Sequence, residues 1–153
     1  MTSGAADPGM ILKSVDHVGV AVPDLRAAIE FYTSVLGLRL THREDNPDLE
    51  VSEAMLASAD GGATAVVQLV APLNEDSPLA RFLDRRGPGV QHLAFRVSDV
   101  EHAAAEYRRR GVRLLYDAPK PGTQGSRINF VHPKDTGGVL VELVEVAEKP
   151  IQG

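Results

Sequence analysis

Two stretches of the 153-residue chain hold a histidine in the same setting, His17 in DHVGVAVPDL and His92 in QHLAFRVSDV. In each, an apolar strand-like run leads through an Asp-bearing turn into a helix start. Gln68 follows His17 by 51 positions and Glu142 follows His92 by 50, so each half also carries an amide or a carboxylate at a matching place. Imidazole, amide and carboxylate groups can hold a borderline or hard divalent cation, and a carboxylate can move a proton. A single strand histidine is more often a hydrogen-bonded structural residue than a ligand. Two histidines, a glutamine and a glutamate at duplicated offsets, with Glu142 set amid Val and Leu, favour a site. The chain has no cysteine, so any metal falls to His, carboxylate or amide donors.

The elements that position these residues also read as a duplication. Strand side chains alternate between faces, so His17, Gly19 and Ala21 share one face while Val18, Val20 and Val22 share the other. His92, Ala94 and Arg96 oppose Leu93, Phe95 and Val97 in the same way. The bulky rows are expected to pack under helices, leaving the histidines beside small residues, where there is room for a ligand. In the first half Leu25, Ala28, Ile29, Tyr32, Val35 and Leu36 recur at helical spacing, with Asp24 as N-cap and Gly37 at the left-handed C-terminal position. In the second, Val100, Ala103, Ala104 and Tyr107 form the stripe, Ser98 with Glu101 reads as a capping box, and Gly111 closes the helix. Further strands are expected over 38–42, 50–58 and 65–70, and over 112–116, 126–131 and 139–146. Each half is then a βαβββ module, about 13–72 and 90–146, joined by a short helix over about 77–86 that starts at Ser77 and Pro78. The expected organisation is one α+β domain over 13–146, between a flexible segment 1–12 and a tail 147–153.

Composition excludes several classes. A formal net charge of −5 argues against nucleic acid, which calls for clustered excess Lys and Arg. The start lacks a basic, then apolar, leader, and no run approaches the ~20 apolar residues that span a bilayer. A cytoplasmic protein with no membrane partner is expected.

The paired modules resemble the vicinal oxygen chelate superfamily over about 13–146. More narrowly, THREDNPDLEVSEAML, VVQLVAPLNEDSPLARFL and GVRLLYDAPKPGTQGSRINFVHPKDTGGVLVELVE resemble the methylmalonyl-CoA epimerases. The resemblance implies a curved, cup-shaped mixed sheet with helices on its outer face, closed around one divalent metal ion per chain. The implied ligands are His17, Gln68, His92 and Glu142, with Co2+ favoured and Mn2+, Ni2+ or Zn2+ also suited. It implies epimerisation of (2R)- and (2S)-methylmalonyl-CoA by removal of the C2 proton, through a metal-stabilised enolate. Glu53 and Glu142 are the implied catalytic carboxylates; read alone, Glu53 is an ordinary surface glutamate on a strand. An acyl-CoA substrate needs cations for its phosphates, and Lys120, Arg127 and Lys134 lie in a Gly- and Pro-rich stretch where basic heads can reach a ligand. The resemblance also implies a homodimer. His42, His102 and His132 read as structural or surface residues. Two alternatives stay open within the superfamily: a glyoxalase-like isomerase with the same four ligands, and a non-catalytic, resistance-type binder with a metal-free cleft. In the latter the ligands should be lost, yet all four positions are filled.

Overall fold

A computed structural model describes residues 11–61 and 66–148. Residues 1–10 of the expected N-terminal segment and 149–153 of the expected tail lie outside the described residues, as does the start of the strand expected over 65–70. The elements run β1 (Val15–Ala21), α1 (Leu25–Glu30), β2 (Arg39–Asn46), β3 (Val51–Ala57), β4 (Val66–Pro72), α2 (Pro78–Arg86), β5 (Gly89–Arg96), α3 (Val100–Arg109), β6 (Lys120–Pro121), β7 (Arg127–Val131) and β8 (Leu140–Glu145). No helix among the described residues is long and apolar enough to cross a membrane.

The strands form one mixed sheet in the order β2-β3-β4-β1-β5-β8-β7-β6. Within each module the first strand pairs in parallel with the last, β1 with β4 and β5 with β8. The halves join at the centre, where β1 and β5 run antiparallel. The sheet curls because its two edges meet: Asn46 of β2 donates its side-chain N–H to the Pro121 carbonyl at 3.0 Å, and the Gln124 backbone N–H donates to Glu44 at 2.7 Å.

Alternation decides what each face buries. On the convex face Leu25, Ala54, Leu56 and Leu69 pack with Ile29 and Tyr32 of the first helix, and Val100 and Ala103 pack on Val131 and Leu143. The concave face has its own apolar clusters flanking the centre. One gathers Ala94, Ile128, Phe130 and Val144 with Tyr116, and the other seats Leu79 of α2 on Ala21 and Val70. The connecting helix thus covers one end of the cup from inside, while the module helices back the sheet.

Three local features differ from the sequence reading. The last turn of the first helix, Phe31–Val35, widens to π geometry, and the Thr33 hydroxyl donates back to the Ile29 carbonyl at 2.7 Å, drawing on an acceptor of the regular ladder. The expected Ser98/Glu101 capping box does not form; Asp99, with extended backbone, is the N-cap and accepts from the Glu101 and His102 N–H groups. The strand expected over 112–116 reduces to a single bridge between Leu114 and Val131. There the Asn129 side chain engages both backbone groups of Tyr116, at 3.2 and 3.0 Å, in place of a ladder partner.

Candidate metal centre and its cleft

Register brings the two histidines together. Across the central pair, His17 stands opposite Ala94 and Gly19 opposite His92, so each imidazole lies over a small residue of the neighbouring strand. Gly19 is essential to that approach: a Cβ there would fall 1.9 Å from His92 Cε1. On the outer sides Gly19 pairs with Gln68 and Ala94 with Glu142, which brings all four residues onto neighbouring strands. His17 Nε2 lies 3.1 Å from His92 Nε2 and 3.3 Å from Glu142 Oε1, and His92 Nε2 is 3.8 Å from Glu142 Oε2. One ligand atom from each of these three buried residues falls within 4.8 Å of the others.

The far nitrogen of each ring is held by the residue just before it. His17 Nδ1 is 2.6 Å from Asp16 Oδ2, and His92 Nδ1 is 2.5 Å from Gln91 Oε1. Neighbours on a strand normally face opposite ways, but the β1–β5 register slips at Asp16 and again at Gln91. Such bulges re-aim a side chain, and here each turns an acceptor toward the following histidine. Asp16 is fixed in turn by Arg96, whose Nε donates to Oδ1 at 2.8 Å.

The two rings differ in charge. Burial alone would lower the His17 pKa, but hydrogen bonds and attraction from Asp16 and Glu142 outweigh it and raise the value to about 9. Burial lowers His92 to about 4, against the pull of Glu142. These partners assign the protons: His17 is doubly protonated, and His92 is neutral with its proton on Nδ1 toward Gln91. A proton on His17 Nε2 then sits between the two Nε2 atoms, beside the Glu142 carboxylate. Two imidazole nitrogens and a carboxylate converging on one protonated point are the donor set of a divalent cation, which would replace that proton. The residues therefore fit a metal.

Gln68 and Glu53 form the adjoining part of the site. Both are buried, at 3% exposure each, so Glu53 is not the surface residue its strand context suggests. Gln68 Nε2 donates to Glu53 Oε2 at 3.0 Å, which leaves the amide carbonyl as the oxygen donor for a cation. Glu53 Oε1 is buried without a hydrogen-bond partner. Burial first, then repulsion from Glu44 and Glu142, lifts the Glu53 pKa to about 8. A cleft of about 130 Å³ opens onto Glu53, Gln68, His92 and Glu142 between walls that include Val70, Leu79, Tyr116 and Phe130.

The other sequence candidates fall elsewhere. Lys120 places its ammonium 4.0 Å from the centroid of the Tyr116 ring, near the cleft wall. Lys134 is exposed on the turn Pro133–Asp135. Arg127 is not brought to the cleft: it is paired with Glu101 and with Glu145 at 3.5 Å, on the sheet face opposite Ile128 and Phe130. His42 lies 3.2 Å from Glu44, His132 Nδ1 accepts from the Lys134 N–H, and His102 is exposed on α3. Sequence reasoning missed Asp16, Gln91 and Gly19. A signal was present for the first two, since the dipeptides DH and QH repeat with the same 75-residue separation as the histidines.

The chain matches the glyoxalase/bleomycin resistance protein/dioxygenase superfamily over residues 16–130. A methylmalonyl-CoA epimerase of known structure from Mycobacterium tuberculosis is 53% identical and superposes with a TM-score of 0.86 over 92% of each chain. A variant of the methylmalonyl-CoA epimerase from Streptomyces coelicolor, solved in complex with 2-nitronate-propionyl-CoA, is 46% identical, with a TM-score of 0.83 over 90% of this chain and 99% of that one. The ethylmalonyl-CoA/methylmalonyl-CoA epimerase from Cereibacter sphaeroides is 36% identical, over 86% of this chain and 97% of its own length.

Proposed function

The chain belongs to the glyoxalase/bleomycin resistance protein/dioxygenase superfamily and within it to the methylmalonyl-CoA epimerases, and on that premise we propose that it interconverts (2R)- and (2S)-methylmalonyl-CoA. The observation that carries this reading is the buried convergence of His17, His92 and Glu142 beside a buried, half-unpartnered Glu53. His17, Gln68, His92 and Glu142 would hold a divalent cation, Co2+ by preference and Mn2+, Ni2+ or Zn2+ as substitutes, which would supply positive charge to offset the negative charge that proton removal creates.

The chain's own residues do the rest. Glu53 stands on β3, two strands out from β1, and Glu142 on β8, the strand next to β5, so they approach a bound C2 from opposite sides of the β1–β5 centre. One carboxylate takes the C2 proton, the carbon becomes planar, and a proton returns on the other face. Glu53 is suited to this because its pKa of about 8 lies near working pH, where a group serves both as base and, once protonated, as acid. Gln68 holds Oε2 and leaves Oε1 free. The apolar walls exclude water from the carbanion.

Solvent deuterium should enter C2 of methylmalonyl-CoA in the presence of this protein and a divalent cation, while a glutathione hemithioacetal is left unconverted. The reverse pattern would assign a glyoxalase-like activity. The same reading places the enzyme in the cytoplasm as a homodimer; Phe31, Val35 and Leu36, each at least half exposed at the end of the first helix, supply an apolar patch of the kind that partners cover.

A further inference from the structure

A second cleft lies beside the first. It is lined by Phe82, Arg85 and Arg86 of α2, by Pro133, and by Gln91 and Leu140, the last two shared with the metal-centre cleft. The two spaces thus share as lining the residue that holds His92. No carboxylate lines this second space, although acidic residues outnumber basic ones in the chain, 21 to 16. Arg96, Arg109, Arg110, Arg113 and Arg127 each pair with a carboxylate. Arg85 and Arg86 have no such partner among the described residues, a condition they share with Arg26, Arg39, Arg43, Arg81 and Arg108; what sets them apart is that both line one cleft. Arg86 instead lies 5.9 Å over the Phe82 ring, which fixes the guanidinium by its face and leaves its N–H edge to bind. Lys134 rides on the turn whose Pro133 forms part of the wall.

An open groove with two guanidinium groups and no acid in its lining matches a multiply charged phosphate ligand. Resting on the acyl-CoA reading of the adjoining site, we propose that Arg85 and Arg86 bind the phosphorylated nucleotide end of the coenzyme, with Gln91 and Leu140 marking where the acyl arm passes into the metal cleft. This assigns the phosphate-binding role to α2 rather than to Arg127, whose charge is already satisfied. The alternative use of two arginines in the last turn of a helix is to complement its dipole, which needs no ligand.

The test compares cation-loaded wild type with the Arg85→Ala/Arg86→Ala double variant on two substrates, methylmalonyl-CoA and the corresponding methylmalonyl-pantetheine thioester, which lacks every phosphate. The variant should raise KM for the CoA ester by about tenfold or more, the loss of charge-assisted bonds. It should leave kcat unchanged and leave both constants unchanged for the pantetheine ester. Equal KM values in wild type and variant, or the same rise on both substrates, would overturn the proposal. Calorimetric binding of 3′-phospho-ADP provides a second arm that requires no turnover: wild type should bind it and single Arg85→Gln and Arg86→Gln variants should bind it more weakly. If wild type binds the nucleotide but exchanges C2 of neither ester, the epimerase reading has failed and the subsite stands. If wild type exchanges both esters and does not bind the nucleotide, the subsite has failed alone.

Discussion

Asp16 and Gln91 determine which nitrogen each imidazole offers, and they do so with different charge. Burial disfavours charge on both rings; at His17 the hydrogen bonds and charge of Asp16 and Glu142 outweigh it and raise the pKa to about 9, while His92, beside the neutral Gln91 amide, is left by burial at about 4. A cation entering between the rings must displace the His17 proton, so loading one Co2+ per chain at pH 7.5 should release about one proton, read from calorimetric heats in buffers of different ionisation enthalpy. Stability follows the same groups. His17 is raised from 6.5 to about 9 on folding, so its contribution is full below pH 6.5 and is lost between pH 6.5 and 9. Glu53, raised from 4.5 to about 8, costs the folded state progressively more as pH rises from 4.5 to 8. The metal-free protein should therefore melt at progressively lower temperature from pH 6.5 to 9; a flat or rising profile would contradict the assignment. For catalysis, Glu53→Gln removes the titrating group and keeps the shape. It should lower exchange by about 10²-fold or more at unchanged metal content, and retained exchange would remove Glu53 from the mechanism.

The central strand pair does at the level of elements what single residues cannot. Two bulges, at Asp16 and Gln91, put consecutive side chains on one face, and two small residues, Gly19 and Ala94, let each ring lie across the opposing strand. Gly19→Ala should weaken Co2+ binding by about 10- to 100-fold, because a Cβ 1.9 Å from the His92 ring forces that ligand aside. Affinity equal to wild type would show that the ring has slack. Much at this scale is legible in the sequence, because period-2 alternation fixes which face each histidine takes and duplication fixes which strands must be neighbours. The bulges are not legible, since a register slip depends on pairing with another strand. Nor is the fate of 112–116, where β-prone residues lose their ladder because a buried Asn129 from a later strand takes the Tyr116 backbone groups. The Ser98/Glu101 pattern misleads because Asp99, one position closer to the helix, competes for the same N–H groups.

At the scale of the whole molecule, two modules of like design meet back to back through β1 and β5, and their far edges close on each other through Asn46, Pro121, Glu44 and Gln124. The cup is a consequence of the duplication, and so is the site, since each half contributes one histidine and one further oxygen-bearing side chain. The burial of Glu53 follows only from closure, which is why strand context alone makes it a surface residue. Closure also separates the three basic candidates: Lys120 is carried to the cleft wall, Lys134 to the rim of the second cleft, and Arg127 to the outer face. The most direct measurement is a Co2+ titration of metal-stripped protein with C2 deuterium exchange on methylmalonyl-CoA followed at each point. Exchange should rise in proportion to bound Co2+ and level off at one ion per chain; full-rate exchange in the stripped protein, or saturation with Co2+ and no exchange, would contradict a cation shared by both halves as the seat of the chemistry.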